Sequence, residues 1–334
     1  MKVVVQKPQQ KRRLKMAKLD TVDLSNIGQK VILFGPPKAG KTELAGKLAA
    51  HFNTLWFDLE HGYLTLKKFP VEIQRNIELI RVPDNRQNHL AITSMLKVTD
   101  GKPVTICDLH GIVGAMCPKC KMATVSGNVH NVGQMVKIDI EMLGPNDLVV
   151  VDSLTQLSHS AMGKTFGGQT EDNIKPEYSN YMGQGFFLDK FLTCIQQSRA
   201  NWCVISHEEA LTQEDKIEKI VPMAGTRNFS RNTARYFDHV VYVSIKNRKY
   251  HQNSSGVSDM KILTGSRTNV DLADPLSEGL ITMFRTVKGT EENNKAVAAV
   301  NKISPAPAEP EVVKEKPAMN PALAAKLAAS KAKK

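Results

Sequence analysis

Eight consecutive residues constrain this chain more than any others. Gly35-Pro36-Pro37-Lys38-Ala39-Gly40-Lys41-Thr42 matches G-x-x-x-x-G-K-[ST] at every fixed position. The segment follows Val31-Ile32-Leu33-Phe34, a continuous apolar run expected of a strand buried on both faces, and opens a helical stretch at 41–52. Glycines let backbone N–H groups wrap a phosphate, and a helix N-terminus adds partial positive charge. In that setting Lys41 reaches the β- and γ-phosphates and the Thr42 hydroxyl ligates Mg²⁺. ATP and Mg²⁺ are therefore the expected ligands. The alternative is an ordinary Gly-rich turn, and the flanking strand and helix count against it.

Further apolar runs fall at 54–58, 77–82, 148–152, 202–206 and 239–243, with helical stretches at 88–98 and 186–199 between them. Strands alternating with helices predict an α/β fold, a mainly parallel central sheet flanked by helices. Two segments interrupt the alternation. Residues 101–135 hold a Cys/His cluster, and 158–185, rich in Gly and polar residues, reads as a long functional loop.

The formal net charge of +12 sits at the ends. Residues 1–18 carry seven Lys/Arg and no acid, and 301–334 carry seven Lys against three Glu, so 12 − 11 leaves +1 for 19–300. A basic groove running over the whole molecule is not supported. The expected organisation is a basic leader at 1–25, a core at 26–288 with an insertion at 101–135, and a disordered Pro/Ala/Lys-rich tail at 289–334. No apolar run nears the roughly 18 residues of a membrane span, so no membrane partner is expected. The basic start lacks the apolar stretch of a secretory signal. Five Cys in a chain of this length do not make a disulfide scaffold, and three of them cluster, which suits metal binding in a reducing cytoplasm.

Asp152 ends the run Leu148–Val151. An acid at the tip of a buried strand downstream of a phosphate loop is the expected second Mg²⁺ anchor, while alone it reads as a helix cap. Asp58-Leu59-Glu60-His61-Gly62 follows the second strand, where a carboxylate can polarise an attacking water or simply line a solvated turn. His207 closes the strand 202–206, placed to sense a γ-phosphate or to hold a loop.

These pieces together resemble the core of RecA-type recombinase ATPases: the phosphate loop, Phe57-Asp58-Leu59-Glu60-His61, Val149-Val150-Val151-Asp152-Ser153 and Val204-Ile205-Ser206-His207. The resemblance covers about 28–270, and the compact size is similar to that of the small phage-encoded RecA-like ATPases of single-strand annealing and recombination. It implies a RecA-like P-loop NTPase fold, with Lys41 and Thr42 on nucleotide and metal, Asp152 on Mg²⁺ and Glu60 as catalytic base. The family carries Gln at the sensor position, where this chain has His207. The resemblance further implies single-stranded DNA as partner, a homo-oligomeric ring or filament, a single-strand-binding protein as a further partner, and a cytoplasmic location, that of the bacterial host for a phage protein. A helicase or helicase loader shares the core and is the first alternative; a small-molecule kinase is a more distant one.

Cys107-x-x-His110 precedes Cys117-Pro-Lys-Cys120 by six residues. Each pair has the spacing of a zinc knuckle, and thiolates with an imidazole complete a closed tetrahedral site of structural type. His130 is a replacement ligand, and three buried thiols beside a surface His are the alternative. Cys194 and Cys203 read as core residues.

Residues 208–236 follow the sensor strand and carry Lys216, Lys219, Arg227, Phe229, Arg231 and Arg235. The resemblance places a DNA-contacting loop here, with Lys216, Arg227 and Arg231 on phosphates and Phe229 stacking on a base. The alternative is a solvated surface loop. Lys246, Arg248, Lys249 and Arg267 are the cations available to reach a neighbouring subunit's nucleotide.

Overall fold

Apolar runs become strands and the segments between them helices, in a computed structural model that describes residues 28–84, 88–167, 175–213, 216–246, 249–253, 261–267, 280–281 and 283–284. The order is β1 (Lys30–Gly35), α1 (Lys41–Lys47), β2 (Asn53–Asp58), α2 (Tyr63–Leu66), α3 (Val71–Arg75), β3 (Ile77–Arg81), α4 (Leu90–Val98), β4 (Val104–Cys107), α5 (Pro118–Val125), β5 (Met135–Ile138), β6 (Asp147–Asp152), α6 (Leu154–Thr165), α7 (Tyr178–Gln197), β7 (Asn201–Gln213), β8 (Lys216–Pro222), α8 (Arg227–Asn232), β9 (His239–Lys246), β10 (Lys249–Asn253) and β11 (Gly265–Ser266). The leader 1–25 and the tail 289–334 lie outside the described residues.

Six strands run parallel in the order β9-β1-β7-β6-β2-β3. β10 and β11 add to β9, and β8 to the far half of β7, all antiparallel. Alternate residues of each strand face opposite layers. Ile32, Phe34, Phe57, Val151 and Trp202 pack under α4, α6 and α7, whereas Val31, Leu33, Trp56, Val150 and Ile205 pack against α1. Both faces are covered, which is why the strands read as unbroken apolar runs. β4 and β5 form a separate hairpin that carries α5, inserted between α4 and β6. This is an α/β P-loop fold, a mainly parallel sheet flanked by helices, with a small Cys/His-bearing insertion.

Two expected loops are instead ordered elements. Most of 158–185 belongs to α6 and α7. Ser153 caps α6 by accepting from Gln156 N, and Glu177 and Asn180 form a capping box at the start of α7. The glycines that suggested a loop serve close approach: a Cβ on Gly163 would stand 1.9 Å from His89, and one on Gly183 2.9 Å from Thr165. Likewise 208–236 forms the β7–β8 hairpin, with Leu211 and Val221 buried, followed by α8 on its Thr226 cap.

His239 anchors the start of β9. It is fully buried, bonded through Nδ1 to Ser266 Oγ and through Nε2 to Gln29, and burial lowers its pKa from 6.5 to about 4. The unfolded chain therefore binds the extra proton first, so stability is complete above pH 6.5 and falls as the pH drops toward 4. The full contribution is about 3 kcal/mol. Urea titrations of the wild type and His239→Gln between pH 7 and 4 should show a flatter decline for the variant; parallel declines would contradict this account.

Candidate active site

Four strand ends meet at the carboxyl edge of the sheet, where open α/β folds take their ligands. The register sets Gly35 of β1 beside His207 of β7, and Asp58 of β2 beside Asp152 of β6. β7 lies between β1 and β6, so His207 stands between the phosphate loop and the acid strand.

The loop geometry demands its glycines. Gly35 has φ +152°, and a Cβ there would meet Val243 O at 2.0 Å; Gly40 has φ +85° where α1 begins. Pro36 and Pro37 lack N–H groups, so the donors for a phosphate come from the Lys38–Thr42 end of the loop. Lys41 is buried, and its Nζ donates to Gly35 O at 2.8 Å and Pro36 O at 2.7 Å. Burial lowers its pKa to about 8, opposed by the carboxylates of Asp152, Glu60 and Glu208.

Thr42 Oγ1 donates to Asp152 Oδ2 at 2.9 Å. Burial pushes the Asp152 carboxyl up to about 7; the Thr42 bond opposes that, and the charges of Glu60 and Asp58 add to it. Asp58 is also raised by burial: its Oδ1 accepts from Gly62 N at 2.8 Å, while its buried Oδ2 has no partner. Gly62 is required, since a Cβ would stand 2.6 Å from Asp152 Oδ2. Crowded carboxylates, one with an unpaired buried oxygen, beside a hydroxyl are the hard oxygen donors that suit Mg²⁺. Thr42 and Asp152 would hold it. Bound there, the ion neutralises phosphate charge.

Glu60 accepts from Ser153 Oγ and, at 3.3 Å, from His207 Nε2. Burial works to raise its pKa, but these two hydrogen bonds prevail and hold it below the usual glutamate value. An ionised carboxylate beside the phosphate loop can take a proton from water. The backbone N–H of His207 donates to Thr155 Oγ1 at 2.9 Å, so Glu60, His207 and the first turn of α6 form one network. Ser153 was not legible as a member; its only signal is the S-x-x-Q capping pattern at a strand end. Glu60→Gln keeps the shape and removes the base. It should bind ATP normally and hydrolyse it about 10²–10⁴-fold more slowly in single-turnover assays. A loss below about tenfold would move the base elsewhere.

In the insertion, the ligand atoms of Cys107, His110, Cys117 and Cys120 all lie within 4.8 Å of one another. Cys107 Sγ is 3.6 Å from both His110 Nδ1 and Cys120 Sγ, and His110 Nδ1 is 3.5 Å from Cys117 Sγ and 3.3 Å from Cys120 Sγ. Zn–S bonds of about 2.3 Å at tetrahedral angles put neighbouring sulfurs about 3.7 Å apart, so the cluster fits zinc. The backbone is shaped for it. Gly111, at φ +63°, returns its N–H to Cys107 O at 2.8 Å, and Cys117 caps α5 with Pro118 behind it. His110 Nε2 meets Asn131 Oδ1 at 3.2 Å, an outer partner that fixes the ring. His130 is exposed and outside the cluster.

The residues expected on DNA lie on β8 and α8. Lys216 opens β8, whereas Arg227 and Arg231 are exposed on α8. Phe229 is half-buried, stacked on Tyr236 at 6.1 Å and packed against the core. Arg235 pairs with Asp189 at 2.9 Å, and Arg267 with Asp238 at 3.2 Å. Arg248 lies outside the described residues.

Fold and site define a P-loop ATPase. Residues 27–270 match the AAA domain family, and the chain belongs to it. Among solved structures it is similar to a prototypical ATPase from the type III secretion system of pathogenic bacteria, at 15% identity and a TM-score of 0.41 over 83% of this chain and 63% of that one. The chain thus spans less than two thirds of that protein's length. No curated protein matches the sequence. Among the described residues, no helix is long and apolar enough to cross a membrane.

Proposed function

We propose that this ATPase acts on single-stranded DNA in recombination, annealing or repair, as a homo-oligomer with one structural zinc ion in each insertion. The supporting observation is the course of β7. The strand passes from the parallel sheet through His207, at the nucleotide site, directly into the hairpin with β8. Met223 N donates to His207 O at 2.8 Å, and Thr226 then caps α8, which carries Arg227 and Arg231. A shift of His207 with nucleotide state is thereby transmitted to an exposed basic segment.

ATP turnover measured with and without single-stranded DNA tests the reading: stimulation is expected, and a rate indifferent to DNA together with no binding contradicts it. In binding titrations, Arg227→Ala and Arg231→Ala should each weaken all sequences alike and lower the salt slope by about 0.7, the signature of one lost phosphate contact on a single strand. The titrations should use residues 19–300 as well as the full chain, because the ends hold +11 of the net charge of +12. Unchanged slopes would remove α8 from the interface.

A further inference from the structure

Asp58, Glu60, Asp152 and Glu208 bring four carboxylates to the nucleotide site. Three of them are engaged on the side that matters here. Glu60 accepts from Ser153 Oγ and His207 Nε2, Glu208 Oε2 accepts from Tyr242 Oη at 2.8 Å, and Asp152 Oδ2 accepts from Thr42 Oγ1. Asp58 differs. It is 2% exposed, its Oδ1 accepts from Gly62 N at 2.8 Å, and its buried Oδ2 has no partner among the described residues.

Nearby cations do not answer that oxygen. Arg81 is the neighbour of Asp58 in the β2–β3 register, but its guanidinium lies over the Tyr63 ring, 4.9 Å from the centroid. Lys41 Nζ donates to Gly35 O and Pro36 O, and His61 is exposed on the turn. Buried carboxylates are paired or coordinate a cation, because an orphaned charge is costly.

The oxygen stands beside the residues assigned to Mg²⁺. Asp58 and Asp152 are partners in the β2–β6 register, and Leu59 N donates to Asp152 O at 2.6 Å. Gly62, which Asp58 holds, lies against both of them: a Cβ there would be 2.6 Å from Asp152 Oδ2 and 3.5 Å from Thr42 Cγ2. Holding this turn does not require a charge. An asparagine would offer the same Oδ1 acceptor, and its amide would replace repulsion of Asp152 by a donor. What asparagine lacks is a second negative oxygen for a hard cation.

We propose that Asp58 is a second carboxylate of the Mg²⁺ site, joining Thr42 and Asp152 through Oδ2. Its other oxygen holds Gly62, two residues from Glu60, so one side chain sets both the cation and the turn that carries the base. The inference rests on the ATP and Mg²⁺ assignment and is independent of the DNA reading.

The test is Asp58→Asn in the full chain, with a non-hydrolysable ATP analogue as probe, titrated at a series of free Mg²⁺ concentrations. Wild type should bind the analogue more tightly as Mg²⁺ rises. The variant should need at least about tenfold more Mg²⁺ for the same gain. Without metal, its affinity for the analogue should be unchanged or tighter, since a negative charge beside the phosphates is gone. Its metal-free melting temperature should be no lower than that of wild type, since the repulsion with Asp152 is gone. Asp152→Asn calibrates the assay: a raised Mg²⁺ requirement there with none for Asp58→Asn would overturn the proposal alone. A variant that melts lower without metal, or does not fold, would also overturn it, because the carboxylate would then serve the fold. Wild-type affinity indifferent to Mg²⁺ would overturn the metal assignment and the proposal together.

Discussion

Lys41→Ala should bind ATP weakly and hydrolyse none that a steady-state assay detects. The ammonium bonds two carbonyls of its own loop, Gly35 O and Pro36 O, and burial brings its pKa down to about 8. A γ-phosphate presented to the loop offers a stronger, oppositely charged partner. The cation then follows charge as it moves onto the transferring group, and no other Lys or Arg among the described residues is buried in the loop. Single preorganised donors of this kind are worth about 10²–10³-fold in rate, and a full charge in a buried site is worth more. The loop itself should survive. Its glycines and the Leu44 N to Gly40 O bond at 2.8 Å do not involve the side chain, although two carbonyls lose a donor. Circular dichroism should therefore be unchanged. Normal turnover by a folded variant would remove the nucleotide assignment, and no other experiment tests so much of the site at once.

What could be read from the residues tracks how local the physics is. The phosphate loop is a contiguous string whose glycines are fixed by its own φ angles, so it was legible in full. The strands were legible because both sheet faces are covered and the apolar runs are unbroken. The two pairs of metal ligands were legible from their spacing, but the outer partner was not: His130 seemed the spare ligand, whereas Asn131, one residue on, meets the His110 ring. The segment 158–185 read as a loop for a different reason. Gly163 and Gly183 accommodate His89 and Thr165, contacts that are invisible until the helices are placed. The Glu60, Ser153 and His207 network joins residues from three strand ends, 93 and 147 positions apart in its two bonds, and only sheet order brings them together.

Protein purified without added metal should contain one zinc ion per chain, and Cys117→Ser with Cys120→Ser should contain none. The β4–β5 hairpin packs on the core through Ile106 and Ile138, but the segment between its strands has little else to hold it. Between the β4–β5 hairpin strands, α5 buries only Ala123, and its other apolar residues, Met122 and Val125, face outward. Four side chains from two separate turns converge there, and burial pushes the Cys107 thiol up to about 12, so without a cation that thiol stays protonated and only weakly bonded to its neighbours. Metal binding replaces that with four ligand bonds, and in such modules the binding free energy, about 10–16 kcal/mol for structural zinc, is the folding free energy. Loss should therefore be confined and severe. The segment from Leu109 to Gln134 should become open to trypsin at Lys119 and Lys121, while the parallel sheet stays intact. The damage should reach the β3 edge, since Arg81 N is bonded to Asp108 O. ATP hydrolysis should persist, because the cluster contributes no atom to the network around Lys41, Asp152 and Glu60. A metal-free wild type whose insertion resists trypsin would instead assign the three cysteines to the core of the module as thiols.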